Sequence, residues 1–344
     1  MKYLMPFLIS FSLTAILIYV IISLTKKIKW LGRENFRHIH KNNISRLGGL
    51  AMVIVFNLAI LINKDLFLNS QFYGFLIGNI ILLLVCFLDD LKEIRWKIQL
   101  FTQIATSVFV FIMGIRIYYI TNPLNGGIIK LDSGIGVIFS VALVIFWLIL
   151  VMNSINWADG IDGLSGGISF ITVATIFFLS FHSEVNQPPI AIACAILMGT
   201  ILGFLTFNFY PSKILAGTTG AMFMGFSLAV LAIFAGTKIA TSLLVLAVPV
   251  IDSLWVVGER IRNKKSVFVP DRNHLHYKLM ELGWSQRKIV LVYWVFTAVV
   301  ATVALNTRMI GKGITLFLVA IIMIVATLAI NKKISDLNKN KKLA

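Results

Sequence analysis

The segment Asn153-Ser154-Ile155-Asn156-Trp157-Ala158-Asp159-Gly160-Ile161-Asp162-Gly163-Leu164 places an oxygen-bearing amide or carboxylate at every third position: 153, 156, 159 and 162. Such oxygens are hard donors. Magnesium takes them together with water and substrate phosphates. Gly160 and Gly163 permit tight turns and a close approach of backbone amides to a phosphate. The segment has no Lys or Arg. It reads as a loop that holds a metal and a diphosphate. The alternative, a merely solvated loop, needs none of these features.

Three further groups carry charge in patterns suited to phosphate chemistry. Asp89 and Asp90 close an apolar run in Cys86-Phe87-Leu88-Asp89-Asp90-Leu91-Lys92. Adjacent acids at a helix end face different ways, one toward a bundle cavity and the other toward the loop. A polar stop paired with Lys92 or Arg95 is the bland alternative. Pro270-Asp271-Arg272-Asn273-His274-Leu275-His276 offers Arg272 as a planar fork for a diphosphate, beside two histidines. A zinc or copper site is disfavoured there, because no third ligand of matching type is near; a non-functional basic loop stays open. Lys41 and Arg46 precede the paired glycines Gly48 and Gly49, an arrangement suited to an anion at a helix start, although basic residues before a membrane span are common.

The elements that must position these groups are membrane helices. Hydrophobic residues make up 58% of the chain and charged ones 13%, whereas a soluble domain carries about 25% charged residues. Eleven apolar runs lie at about 4–24, 47–63, 66–88, 98–115, 133–152, 166–182, 186–207, 216–236, 239–258, 289–307 and 313–331. Each is near the ~20 residues that cross a hydrocarbon core. The first has no small-residue cleavage site after it and reads as a retained span. The stretch from Ile214 to Gly258 divides at Gly236-Thr237-Lys238. Cys86 and Cys194 sit inside apolar runs, with no disulfide or zinc spacing.

Of the 31 Lys and Arg residues, 24 fall on one side of these spans. The positive-inside rule then puts the amino terminus outside and the carboxyl terminus in the cytoplasm. The net charge of +17 is thus topological, which argues against a nucleic-acid partner. Most acids share the basic side. The expected fold is an all-α polytopic transmembrane bundle, one domain over residues 1–344, with its chemistry at the cytoplasmic face of the cytoplasmic (inner) membrane. Asp252 is the main charge within a span, near its inner end.

In order along the chain, these segments resemble the polyprenyl-phosphate N-acetylhexosamine-1-phosphate transferases, the MraY/WecA/TagO group. The likeness runs from about residue 30 to 285. It includes Arg46-Leu47-Gly48-Gly49, Asp89-Asp90, the 153–164 block, Asn208-Phe209-Tyr210-Pro211-Ser212-Lys213 with a Gly-rich helix start, and Pro-Asp-Arg-Asn-His-Leu-His. The last is closer to the WecA/TagO branch than to the muramoyl-pentapeptide branch.

The resemblance implies transfer of a hexosamine 1-phosphate from a UDP-amino sugar to a polyprenyl (undecaprenyl) phosphate. UMP would leave, with magnesium or manganese assisting, and a cell-envelope glycan would be initiated. It implies that Asp89 and Asp90 orient or deprotonate the acceptor, with Asp159, Asp162 and His274 also catalytic. Asn156, Asp159 and Asp162 would hold metal and diphosphate, and Asn208 the uridine. Arg272, His274 and His276 would engage the donor, with Lys41, Arg46 and Asn153 also binding substrate. A homodimer is compatible with it.

The chain departs from the family pattern at Gly217-Thr218-Thr219-Gly220-Ala221, where a metal-binding aspartate is usual in place of Thr218. Smaller departures are Ser45, Cys86, Val267 and Tyr277. Thr218 is expected to ligate as a neutral oxygen, directly or through water. The rival readings are a catalytically impaired lipid-phosphate binder, a muramoyl-pentapeptide-phosphate transferase and, with charges at one face rather than mid-membrane, a less favoured transporter.

Overall fold

A computed structural model describes residues 1–28, 44–121, 127–182, 185–235, 239–267 and 272–343. Lys41, Asp271 and the expected 236–238 turn lie outside these residues. Among the described residues the chain is almost wholly helical. The first four helices are α1 (Leu4–Ile28), α2 (Gly48–Ile62), α3 (Ser70–Lys92) and α4 (Trp96–Ile112). A small antiparallel hairpin follows, β1 (Tyr119–Thr121) with β2 (Ile128–Lys130). Then come α5 (Ile135–Ala158), α6 (Leu164–Leu179), α7 (Pro188–Asn208), α8 (Gly217–Phe234), α9 (Ile239–Val245) and α10 (Ala247–Arg262). The chain ends with α11 (Leu275–Glu281), α12 (Gln286–Asn306) and α13 (Met309–Leu343). Runs this apolar become helices because lipid offers no partner to a backbone amide, and a helix satisfies its own.

Seven helices are long and apolar enough to cross a membrane, and an eighth if α9 and α10 count as one broken span. α2, α4 and α6 are apolar but shorter. The chain is a polytopic, all-α membrane protein.

α8 is the hub. It packs on α2, α3, α5 and α6, and its residues are buried on every face, as expected of a helix that is apolar all round. α1 lies along α7, where Gly199 and Gly203 admit its backbone. A Cβ on Gly199 would sit 2.2 Å from the Phe7 carbonyl oxygen. Small residues four apart allow this close helix contact in lipid.

Three elements differ from expectation. The run at 239–258 is not one helix: α9 and α10 meet at 75°. Pro249, in the first turn of α10, has no N–H to give the Val245 carbonyl, so the ladder breaks there. α5 runs past 152 to Ala158, which makes the start of the oxygen ladder helical rather than loop. α13 runs past 331 to Leu343, because a polar stretch rich in Lys, Leu and Asn continues a helix that hydropathy alone ends.

Candidate functional site

The functional groups gather where the ends of α3, α5 and α10 meet the starts of α4, α8 and α11. A cavity of about 860 Å³ opens there, within the range of small-molecule sites. Arg46, Asp89, Asp90, Asn153, Asn156, Asp159, Thr218 and His274 border it.

Asp89 and Asp90 occupy the last turn of α3, which ends where Glu93 takes φ +49°. One helical step turns the two side chains apart. Asp90 goes to the start of α8, where its carboxylate accepts the amides of Thr218 (2.7 Å) and Thr219 (3.0 Å). These are among the unsatisfied N–H groups of a helix N-terminus, where negative charge is favoured. Gly217, at φ +68°, makes room: a Cβ there would sit 2.6 Å from the Asp90 carboxylate. Asp89 turns toward α4. Its Oδ1 accepts the Ile94 amide (2.9 Å) and the Gln99 side chain (2.8 Å), and its Oδ2 accepts the Thr218 hydroxyl (2.7 Å). The pair therefore does not divide into one cavity acid and one loop acid. Asp90 borders the cavity, yet both its oxygens pin α3 to α8.

Asn153, Asn156 and Asp159 lie along one face of α5 and its cap, since positions three apart stack on a helix. Asn153 donates to Gln103 (2.7 Å) and to the Ile149 carbonyl (2.8 Å). Asp159 accepts the Ser165 hydroxyl. Burial pushes its carboxyl up to about 7, against the Ser165 hydrogen bond and the Arg46 charge, which pull it down.

The fourth rung leaves the ladder. Asp162 is 2% exposed and does not border the cavity; its Oδ2 accepts the Ser212 amide at 3.0 Å. Asn208 is also off the cavity. It accepts the Gly163 amide (3.0 Å) and donates to the Ile214 carbonyl (2.9 Å). Both side chains stitch the 160–164 turn to the 209–214 segment. The expected metal role for Asp162 and uridine role for Asn208 do not match this placement.

The two histidines also separate. His274 borders the cavity, and its Nδ1 lies 2.8 Å from Asp252 Oδ2. His276 is 1% exposed, stacks on His274 with centroids 5.7 Å apart, and lies off the cavity. Burial, reinforced by His274, pushes its imidazole down to about 3, so it stays neutral. Its burial away from the cavity does not suit the expected grip on phosphate. Arg272 is exposed and does not border the cavity. The amides of Gly48 and Gly49 go to the carbonyls of Leu215 and Ala216, both at 3.0 Å. They close α2 onto the entry to α8 and are not offered to an anion. Arg46 does face the site, its Nε buried without a hydrogen-bond partner among the described residues.

Sequence reasoning missed Gln99, which holds Asp89, and singled out Asp252 without its hold on His274. Asp252 had a signal, as a lone acid in an apolar run. Gln99 had none beyond its place one turn into α4. Also missed was the apolar lining of the same cavity, including Leu100, Phe146, Ile149, Leu150, Leu254 and Val257.

The fold and site define a polytopic membrane protein with buried carboxylates, an arginine and a histidine around a part-apolar cavity. The model of glycosyl transferase family 4 matches residues 72–236. The decaprenyl-phosphate N-acetylglucosaminephosphotransferase of Mycobacterium leprae (strain TN) is 30% identical over 306 residues, covering 79% of this chain and 75% of that protein. A Bacillus subtilis (strain 168) protein named probable undecaprenyl-phosphate N-acetylglucosaminyl 1-phosphate transferase is 26% identical over 324 residues, covering 92% and 88%. The phospho-N-acetylmuramoyl-pentapeptide-transferase of Staphylococcus epidermidis (strain ATCC 12228 / FDA PCI 1200) is 27% identical over 324 residues, covering 89% and 97%. The chain belongs to this family, in the group of polyprenyl-phosphate hexosamine-1-phosphate transferases. It is an enzyme, a phosphotransferase.

Proposed function

We propose that the chain transfers an N-acetylhexosamine 1-phosphate, N-acetylglucosamine 1-phosphate or a related amino sugar, from its UDP derivative to polyprenyl phosphate at the cytoplasmic face. In this reading the chain has eleven spans, counting α2, α4 and α6 and taking α9 with α10 as one. The amino terminus is outside. The division of 24 of 31 basic residues onto one side supports that orientation.

The observation that carries the proposal is the mixed lining of one cavity. Phe146, Ile149, Leu150 and Leu254 supply apolar side chains, while Arg46, Asp89, Asp159 and His274 supply polar ones. A lipid with a phosphate head matches both, and a nucleotide sugar matches the polar groups.

In the reaction a lipid phosphate oxygen forms a P–O bond to the sugar-bearing phosphorus. The bond from that phosphorus to the UMP oxygen breaks, and UMP leaves with the electron pair. Two anions must meet, so alignment and charge neutralisation supply most of the catalysis. Arg46 answers the charge of the phosphates. His274 presents Nε2 to a phosphate oxygen.

Asp89, Asp159, Asn156 and Thr218 supply hard oxygens on the cavity and fit a magnesium ion. Among the described residues no three His, Cys, Asp or Glu side chains form a group able to hold a metal by themselves. That suits magnesium, which keeps waters and substrate phosphates in its shell. When bound, it would neutralise charge on the diphosphate.

The test is UMP release from purified protein with undecaprenyl phosphate, magnesium and a panel of UDP-sugars, including the muramoyl-pentapeptide donor. Release with UDP-N-acetylglucosamine is expected. No release with any donor would sink the proposal. Parental rates in Asp159→Asn would remove Asp159 from the site. A cysteine in Lys264→Cys should label only from the cytoplasmic side.

A further inference from the structure

Asp252 is an acid that the reaction scheme leaves unused. It lies on α10, beyond the 75° break, and is 9% exposed. Its two oxygens go to consecutive residues of another segment. Oδ2 lies 2.8 Å from His274 Nδ1. Oδ1 accepts the Leu275 amide, the first of α11, at 2.8 Å. One carboxylate thus holds both the ring and the backbone beside it.

The ring has little other freedom. His274 is 4% exposed. The Trp157 ring lies 5.8 Å from it, and His276 stacks on it within 8° of parallel. A carboxylate accepts hydrogen bonds and donates none, so the nitrogen facing it carries the proton. His274 is then fixed as the Nδ1–H tautomer. Nε2 is the nitrogen left for the cavity that His274 borders.

We infer that Asp252 is a positioning residue for the transfer: it fixes the tautomer and aim of His274, so that Nε2 meets a phosphate oxygen of the bound diphosphate. When Nε2 also holds a proton, the ring is a cation balanced by the carboxylate behind it. Orienting a histidine through its second nitrogen is a general device of carboxylate–histidine pairs. The inference rests on the proposed transfer for its rate effects, while the tautomer stands independently.

Asp252→Asn keeps the size and the acceptor for Leu275, but turns an amide N–H toward Nδ1 and so reverses the tautomer. The expected result is a kcat lower by about 10- to 100-fold, the usual cost of losing an orienting partner. KM for the UDP-sugar should stay within about threefold, as for an interaction made mainly in the transition state. In the His274→Gln background, Asp252→Asn should cost nothing more. Nitrogen-15 NMR of histidine-labelled parental protein, with His274 assigned by its loss in His274→Gln, should show Nδ1–H.

An Nε2–H tautomer in the parental protein would overturn the inference without any Asp252 variant having to fold. So would equal losses from Asp252→Asn with and without His274, or rate, nucleotide binding and melting temperature falling together. If the parental protein releases no UMP, the proposed transfer fails instead, and the tautomer measurement still decides the pairing.

Discussion

The Thr218 hydroxyl donates a hydrogen bond to Asp89, with Oγ1 and Oδ2 2.7 Å apart. The family resemblance implies a carboxylate where Thr218 stands. Here that position instead supports an acid. Two carboxylates at this distance would repel unless a proton or a cation lay between them.

Thr218→Asp should therefore make the protein's stability depend on metal. In EDTA its melting temperature in detergent should fall below the parental value, and magnesium should restore it. Thr218→Val keeps the shape and loses the hydrogen bond. It should cost about 1.5 to 3 kcal/mol, the range for a hydrogen bond to a charged group, with no recovery on adding magnesium. Equal melting of Thr218→Asp with and without magnesium would show that the two carboxylates do not share a cation.

Asp159 and Asp162 are three residues apart and look equivalent in the sequence, but they should fail in different ways. Asp159 borders the cavity, so Asp159→Asn should lower kcat by at least about 100-fold, as for loss of a charged group acting on the transition state, with the fold intact. Asp162 holds the Ser212 amide. Asp162→Ala should strand that buried donor and destabilise by about 1 to 3 kcal/mol. Thermal unfolding and UMP release measured on both variants separate the two roles. The reverse pattern would restore Asp162 to the site.

The same pair shows what a sequence can and cannot tell. The three-residue spacing of Asn153, Asn156 and Asp159 is a helical period, so their common face is legible. Asp162 follows the period in sequence only. The helix has ended, and its partner, Ser212, lies 50 positions away. Hydropathy located the apolar runs, because lipid forces helices on them. It misplaced the ends of α5 and α13, where polar residues stay helical. The break before α10 was marked by Pro249 within an apolar run. The pairing of Asp252 with His274 spans 22 positions, and no local pattern predicts it.

The apolar lining should govern the lipid and not the nucleotide. Leu254 and Phe146 line the cavity and are 52% and 62% exposed. Removing apolar contact of about 1 kcal/mol from each should raise the apparent KM for undecaprenyl phosphate by roughly fivefold in Leu254→Ser and more in the double variant with Phe146→Ser. KM for the UDP-sugar should not move. Steady-state kinetics in mixed micelles, varying each substrate in turn, reads both. A shift in the nucleotide KM alone would reassign this lining to the donor.

Metal affinity should depend on the donor. The nearby carboxylate oxygens are already engaged: Asp90 by two amides, Asp89 by an amide, Gln99 and Thr218, and Asp159 in part by Ser165. With no three-residue metal group among the described residues, the ion needs the diphosphate oxygens to complete its shell. Manganese stands in for magnesium and is read by electron paramagnetic resonance. Its six-line free-ion signal should persist on adding the protein alone at concentrations near 100 µM, an order-of-magnitude choice set by the about 10⁻⁴ M affinity of weak hard-cation sites. Adding UDP-N-acetylglucosamine should remove the signal beyond what the nucleotide sugar removes without protein. EDTA should abolish UMP release, and manganese should restore it. Tight manganese binding to the protein alone would mean that these side chains rearrange into a complete site.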